Sequence, residues 1–376
     1  MVESPIYLDY NATTPLAPEV KHEITKNLDL FGNPSSLHSY GLAAREVVSI
    51  ARCNVAKSLG CKPDEIIFTS GGTESNNIAI LGYMLRFDKG HIISSLIEHP
   101  SVLNPLMFLR EEGYDVTFLP VDHEGLINPD DVKKAIRRDT RLITVMHANN
   151  ETGTIQYIRE IGNIARQFGI AFHSDGAQCL GKIRTMVDEM HVDLYTIAGH
   201  KFYAPKGIGA LYIRDGTEIY PVLKGASQER GIRPGTENVA YISGLGKACE
   251  LAHDNLSFNI EHNSKLTKII YETLYGNLSV RLNGSFKHRL PNTLNLSVKG
   301  INAHQLVTVL ADSVAISSGS ACHSGVSKPS LTLQSMGVSD YDALSAIRIS
   351  TGIYNTVEDI EESCKIIIKA VNKLKL

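Results

Sequence analysis

The chain has 376 residues, 43% hydrophobic and 20% charged, with 37 Lys+Arg against 40 Asp+Glu for a net charge of -3. This balance excludes a mainly disordered chain, and the lack of a basic excess argues against a dedicated nucleic-acid binder. No apolar run reaches the ~18 residues of a membrane helix, Met1–Tyr10 lacks a secretory pattern, and six cysteines in so long a chain are not a disulfide framework, so reduced thiols and a cytoplasmic setting are expected. Single cores stop growing near roughly 250–300 residues, which predicts two domains.

Apolar β-rich runs at Ile66–Phe68, His91–Ser95, Val116–Leu119, Leu142–His147, Ile170–Ser174, Asp193–Ile197 and Ala210–Ile213 predict strands. Helical spacing predicts helices at Leu42–Leu59, Glu74–Leu85, Asp130–Arg137 and Ile158–Phe168. Strand–helix alternation of this kind gives an α/β fold with a mostly parallel sheet covered by helices. After about Asn255 the character changes. A helix at Ser264–Tyr275, strands at Val280–Leu282, Thr293–Leu296 and Ala346–Ser350, and a last helix from Val357 predict a smaller α+β domain. We place the large domain at 15–255 and the small one at 256–376, with residues 1–14 packed on the latter.

Some patterns fail. Gly176–Lys182 fits Gly-x4-Gly-Lys, but Ile183 stands where a phosphate loop needs Ser or Thr. No Gly-x-Gly-x-x-Gly opens a βαβ unit, and neither His-Glu-x-x-His nor Cys-x-x-Cys occurs, so neither a dinucleotide site nor a metal site is expected.

Four stretches carry chemistry. Thr69-Ser-Gly-Gly-Thr-Glu-Ser75 follows a strand and opens a helix. It reads either as an anion-binding turn built on Gly72 and Thr73, or as a plain turn capped by Thr73. Asp175 ends a strand, as a turn former or as a charge with a cationic partner. Lys201, in Ala198-Gly-His-Lys-Phe-Tyr203, lies 26 positions beyond Asp175 at another strand end. A strand-end Asp, a strand-end Lys and a glycine-rich anion turn together suggest pyridoxal phosphate: Lys201 for the aldehyde, Asp175 for the pyridine nitrogen, Gly72-Thr73 for the phosphate. Cys322, in Ser317-Ser-Gly-Ser-Ala-Cys-His-Ser-Gly325, sits among small residues, unlike Cys53, Cys249 and Cys364, whose apolar periodic segments predict burial.

With these residues in place the chain resembles the pyridoxal-phosphate-dependent cysteine desulfurases of the NifS/IscS type. The resemblance runs nearly end to end, through Tyr7-Leu-Asp-Tyr-Asn-Ala-Thr-Thr-Pro15, Gly32-Asn-Pro-Ser35, Thr69–Ser75, Glu98-His99, His147-Ala-Asn-Asn-Glu-Thr-Gly153, Asp175-Gly-Ala-Gln178, Gly199-His-Lys201, Glu229–Thr236 and Ser318–Cys322. It implies a fold-type I homodimer that converts L-cysteine to L-alanine. By position it implies Lys201 on the cofactor aldehyde, Asp175 on the pyridine nitrogen and Gln178 on the ring hydroxyl. His99 would stack on the ring and serve in proton transfer. Gly72, Thr73 and His200 would hold the phosphate, with Thr236 reaching it from the other subunit. Asn150 and Arg348 would hold the substrate carboxylate, and Cys322 would take the sulfur as a persulfide.

Three departures from that resemblance stand out. Ala198 replaces a frequent Ser at the phosphate, Ile353 replaces a frequent Arg, and the chain stops at Leu376 without the tail with which some relatives dock an iron–sulfur scaffold. The implied sulfur acceptor serves iron–sulfur clusters, transfer-RNA thiolation or DNA phosphorothioation, which the sequence does not separate. His323, next to Cys322, is expected to lower the thiol pKa. A related lyase or aminotransferase, such as selenocysteine lyase, and a scaffold paralogue that has lost the cofactor are the competing readings.

Overall fold

A computed structural model describes residues 5–318, 321–323 and 326–375, the side chains of 321–323, 326 and 327 excepted. The first part of the chain runs β1 (Ile6–Tyr7), α1 (Pro18–Asn27), α2 (Ser39–Leu59), β2 (Ile66–Thr69), α3 (Gly72–Met84), β3 (His91–Ser95) and α4 (Pro100–Glu111). It continues with β4 (Asp115–Leu119), α5 (Pro129–Ala135), β5 (Thr140–Thr144), α6 (Ile158–Phe168), β6 (Ala171–Asp175), α7 (Val187–Met190), β7 (Leu194–Ala198), β8 (Gly209–Ile213) and α8 (Val239–Asp254). The remainder is α9 (Leu256–Asn277), β9 (Val280–Leu282), β10 (Thr293–Val298), α10 (Ala303–Leu310), β11 (Val314–Ala315), β12 (Ser317–Ser318), β13 (Ala321–His323) and β14 (Val326–Lys328). It closes with α11 (Leu331–Ser335), α12 (Asp340–Leu344), β15 (Ala346–Ser350) and α13 (Val357–Lys375).

A seven-stranded sheet, in the order β2-β8-β7-β6-β5-β3-β4, fills the larger core. β4, β3, β5, β6 and β7 are parallel, and β8 runs antiparallel between β7 and β2. Strands β3, β6, β7 and β8 are buried along their whole length, as expected for a sheet covered on both faces. Helix α6 shows how a covering helix forms: Ile158, Ile161, Gly162 and Ala165 share its buried stripe, and Gly169 ends it in the left-handed region at φ 65°. Strand order reverses between β3 and β5, which opens a crevice at their carboxyl ends, where open α/β sheets bind ligands.

A second, antiparallel sheet, β12-β15-β10-β9, packs Leu294, Leu296, Ile347 and Ile349 against α9 and α13. Leu8 belongs to this core, and β1 pairs in parallel with β11, so the chain start is built into the second sheet's neighbourhood.

The predicted strands match the observed ones within two residues at their ends, except that β5 ends at Thr144. Beyond it, Val145 and His147 still donate to His173 and Asp175 on β6. Helix α9 starts at Leu256, eight residues before the predicted one. Cys249 and Cys364 are buried, but Cys53 is exposed: its position on α2 faces away from the core that Val48, Ala51 and Val55 enter. No described helix is long and apolar enough to cross a membrane, and no group of three or more described His, Cys, Asp or Glu residues could hold a metal ion.

Candidate active site

The crevice is a cavity of about 340 Å³ lined by Gly72, His99, Asn150, Asp175, Gln178, His200, Lys201 and Arg348 among others. Sequence reasoning therefore named eight residues that the fold does bring together, from stretches as far apart as α3 and β15. Thr73 is exposed at the rim of an adjoining hollow as well as this one. Thr236 does not reach the cavity of its own chain and is exposed. Its loop is anchored on this side by Arg233, which pairs with Glu74 on α3 at 2.9 Å, and by Glu229, which pairs with Arg52 at 2.5 Å. The Cys322 side chain lies outside the described residues, as does that of His323. The backbone there forms a hairpin, with Cys322 opposite Ser327.

Asp175 ends β6, where its Oδ1 accepts the Ala177 N–H and its Oδ2 accepts Asn76 Nδ2 at 2.8 Å. The next residue must be glycine: a Cβ on Gly176 would stand 2.0 Å from the Tyr195 ring. Gly199–Lys201 forms one tight turn directly after β7. Lys201 Nζ donates to the main-chain oxygens of Asn11 at 2.7 Å and Ala12 at 2.9 Å. Burial, aided by the Arg348 charge, lowers its pKa to about 8. Burial and the neighbouring lysines lower His200 to about 4, so it is a neutral ring, 3.2 Å from Thr13 Oγ1.

Gln178 donates Nε2 to Asn11 O at 3.0 Å and accepts Lys182 Nζ at 2.8 Å. Lys182 also donates to Asn11 Oδ1 at 3.1 Å, and burial lowers its pKa to about 7. The lysine of the failed phosphate-loop pattern is thus an interior cation behind the cavity. Arg348, on β15, donates to Asp9 Oδ1 at 2.7 Å, Ser317 Oγ at 3.0 Å and Asn150 O at 3.2 Å. Its Nε is buried without a partner among the described residues. The Asn150 side-chain amide makes no hydrogen bond among the described residues, although its carbonyl also accepts Asn11 Nδ2. Glu151 holds the far root of the Cys322 segment, accepting Ser330 Oγ and Thr332 Oγ1, and burial raises its pKa.

Sequence reasoning assigned no role to Asn11, Asn76, Ser101 or Lys182. Asn11 stands in a quoted motif, but its bonds to Ser350, Thr293 and Lys182 span most of the chain. Asn76 is a fully buried polar side chain on α3, a signal visible only after folding.

These groups fit pyridoxal phosphate. The cavity is within the ~300–1,000 Å³ range of cofactor sites. Gly71, at φ 145°, precedes the 13-residue helix α3 with nothing within 4 Å of where a Cβ would sit, so an anion has room to approach the helix N-terminus. A Cβ on Gly72 would stand 3.3 Å from Ala198 Cβ, so the helix start and the end of β7 meet closely here. An amine (Lys201), a carboxylate that can only accept (Asp175) and a guanidinium (Arg348) complete the set.

A family model described as Aminotransferase class-V matches residues 6–362. The chain is 46% identical to "Cysteine desulfurase IscS" of Dictyoglomus turgidum over 98% of its own length and 95% of the relative's. A solved NifS-like protein superimposes with a TM-score of 0.93 at 35% identity, covering 98% of this chain and 100% of the other. Another solved chain, described as SspA in complex with cysteine, gives a TM-score of 0.83 at 39% identity, covering 93% and 100%. A match of this extent in sequence and fold settles the family: the chain is a member of the class-V aminotransferases, within the cysteine desulfurases of the NifS/IscS type, which depend on pyridoxal phosphate.

Proposed function

We propose that the protein desulfurates L-cysteine to L-alanine and hands the sulfur on as a persulfide of Cys322. The observation that carries this reading is the meeting of Lys201, Asp175 and Arg348 on one cavity. When bound, pyridoxal phosphate supplies an electron sink for negative charge at the substrate α-carbon. Lys201 Nζ would hold the aldehyde of the bound cofactor and would take the α-proton; its lowered pKa suits it to act as a base near neutrality. Asp175 would face the pyridine nitrogen, Gln178 the ring hydroxyl, and Gly72, Thr73 and His200 the phosphate. His99, entering through Nε2, serves in proton transfer. Arg348 and Asn150 take the substrate carboxylate, the guanidinium giving up part of its contact with Asp9. Cys322 thiolate attacks the substrate sulfur: an S–S bond forms, the Cβ–S bond breaks, and its electron pair stays with the carbon that becomes the alanine methyl. No external oxidant is consumed in that transfer.

The working unit in this reading is a homodimer in which the partner subunit's Thr236 completes the phosphate site. Phe31, Leu37 and Tyr40 are 80%, 82% and 60% exposed, a concentration of apolar surface that a second copy would cover. The chain divides near Asn255, between α8 and α9, and L-cysteine and a sulfur-acceptor protein are its partners. Incubation with pyridoxal phosphate and L-cysteine, with alanine and sulfide measured with and without a thiol reductant, tests the chemistry. Cys322→Ser should lose alanine formation, and no alanine from cofactor-loaded wild type refutes the assignment. An active monomer refutes the shared phosphate site.

A further inference from the structure

The first turn of α4 ties two groups of the cavity wall together. His99 caps this helix, and its Nδ1 accepts the main-chain N–H of Ser101 at 3.1 Å. A ring nitrogen that accepts an N–H bond carries a lone pair and no proton. The Ser101 hydroxyl lies 2.7 Å from the same nitrogen, so the hydroxyl is the donor in that bond. Its oxygen in turn accepts Asn76 Nδ2 at 2.8 Å. The second proton of that amide goes to Asp175 Oδ2 at 2.8 Å. Each donor direction from the carboxylate to the imidazole is thereby set. Turning the Asn76 amide over would set its oxygen against the Asp175 carboxylate. The orientation that remains leaves Asn76 Oδ1 buried without a partner among the described residues, a cost that the two donor bonds offset.

We propose that Ser101 and Asn76 are positioning residues that hold His99 as its Nε2–H tautomer, with the Asp175 carboxylate setting the direction of the relay. With Nδ1 occupied, Nε2 is the only ring nitrogen left for the cavity, and it makes no hydrogen bond among the described residues. The ring therefore enters the reaction as a neutral proton donor and can take a proton only after giving one. The charged groups that face it are Asp175, at the end of β6, and Lys201, after β7. Burial and the Lys201 charge favour the neutral ring, and Asp175 opposes them.

This inference rests on the desulfurase reading only for what the proton is used for. The tautomer is measurable without turnover. Histidine 15N shifts of the full chain, with and without added pyridoxal phosphate and with His99→Gln for assignment, distinguish a proton-free Nδ1 from a protonated one. Wild type should show a proton-free Nδ1 and a protonated Nε2. Ser101→Ala keeps the main-chain bond but loses the hydroxyl, and should move the tautomer ratio about two- to ten-fold toward Nδ1–H; Ser101→Thr should restore it. A protonated Nδ1 in wild type, or wild-type shifts in Ser101→Ala, overturns the proposal. Failure of the alanine assay with the expected shifts would refute the function and leave the relay standing.

Discussion

The two halves of the cavity hold their cations in opposite ways. On the strand-end half, half-buried Lys201 and, behind it, buried Lys182 bond among the described residues to neutral oxygens: Asn11 O and Ala12 O for one, Asn11 Oδ1 and Gln178 Oε1 for the other. On the half built from the second sheet, Arg348 is paired with a carboxylate, Asp9. A buried amine among neutral acceptors gives up its proton easily. A guanidinium keeps its charge in any surroundings and can only exchange one anion for another. The first half is thus prepared for covalent and proton chemistry, and the second for capture of a carboxylate.

Breaking the first half gives the largest effect. Lys201→Ala should remove the cofactor's covalent adduct from the visible spectrum and lower alanine formation on the order of 10²–10⁴-fold. Lys182→Met tests the interior cation. Its pKa is near 7 in the folded protein and near its ordinary 10.5 when unfolded, so between these values the unfolded chain binds more protons and wild-type stability rises with pH. Chemical denaturation of the cofactor-free protein should show wild type gaining about 2–4 kcal/mol on Lys182→Met between pH 7 and 10. A flat difference would mean that the amine is not held as described. On the second half, Arg348→Lys should raise KM for L-cysteine about 10- to 100-fold with less change in kcat, since a lysine cannot offer the planar fork. Asp9→Asn should lower KM about two- to five-fold by removing the competing carboxylate. A higher KM in that variant would show that Asp9 orients Arg348 rather than competes for it.

What could be read from sequence follows the same division. β-rich runs located the strands of the large sheet because a sheet buried on both faces demands continuous apolar stretches. Lys201, Asp175 and Gly72 were legible because each follows such a run directly. Helix α8 was not predicted. It carries Gly244 and Gly246, where a Cβ would meet Ile24 at 2.6 Å and Ala51 at 2.5 Å, so they are the points where α1 and α2 approach α8 closely. The start of α9 was missed because it is polar, with Asn259 and Asn263 buried among hydrogen-bond partners. Asn76, Ser101 and Lys182 each have a partner far along the chain, 99, 25 and 171 positions away, beside any near neighbour. Local pattern carries no information of that range.

Asn11 has a consequence for the order in which the protein is made. Its carbonyl receives Lys201, its side chain receives Lys182, and its own N–H donates to Ser350 Oγ, 339 positions later. At about 5–20 residues per second, roughly 20–70 s of synthesis separate the first of these residues from the last. In the part of that interval after β8 is made, the strand-end lysine can already stand on its sheet while the arm that anchors its amine waits for β15. Cofactor capture at a finished site therefore waits for β15, and a ribosome stalled before Ser350 would display the large sheet without a competent lysine.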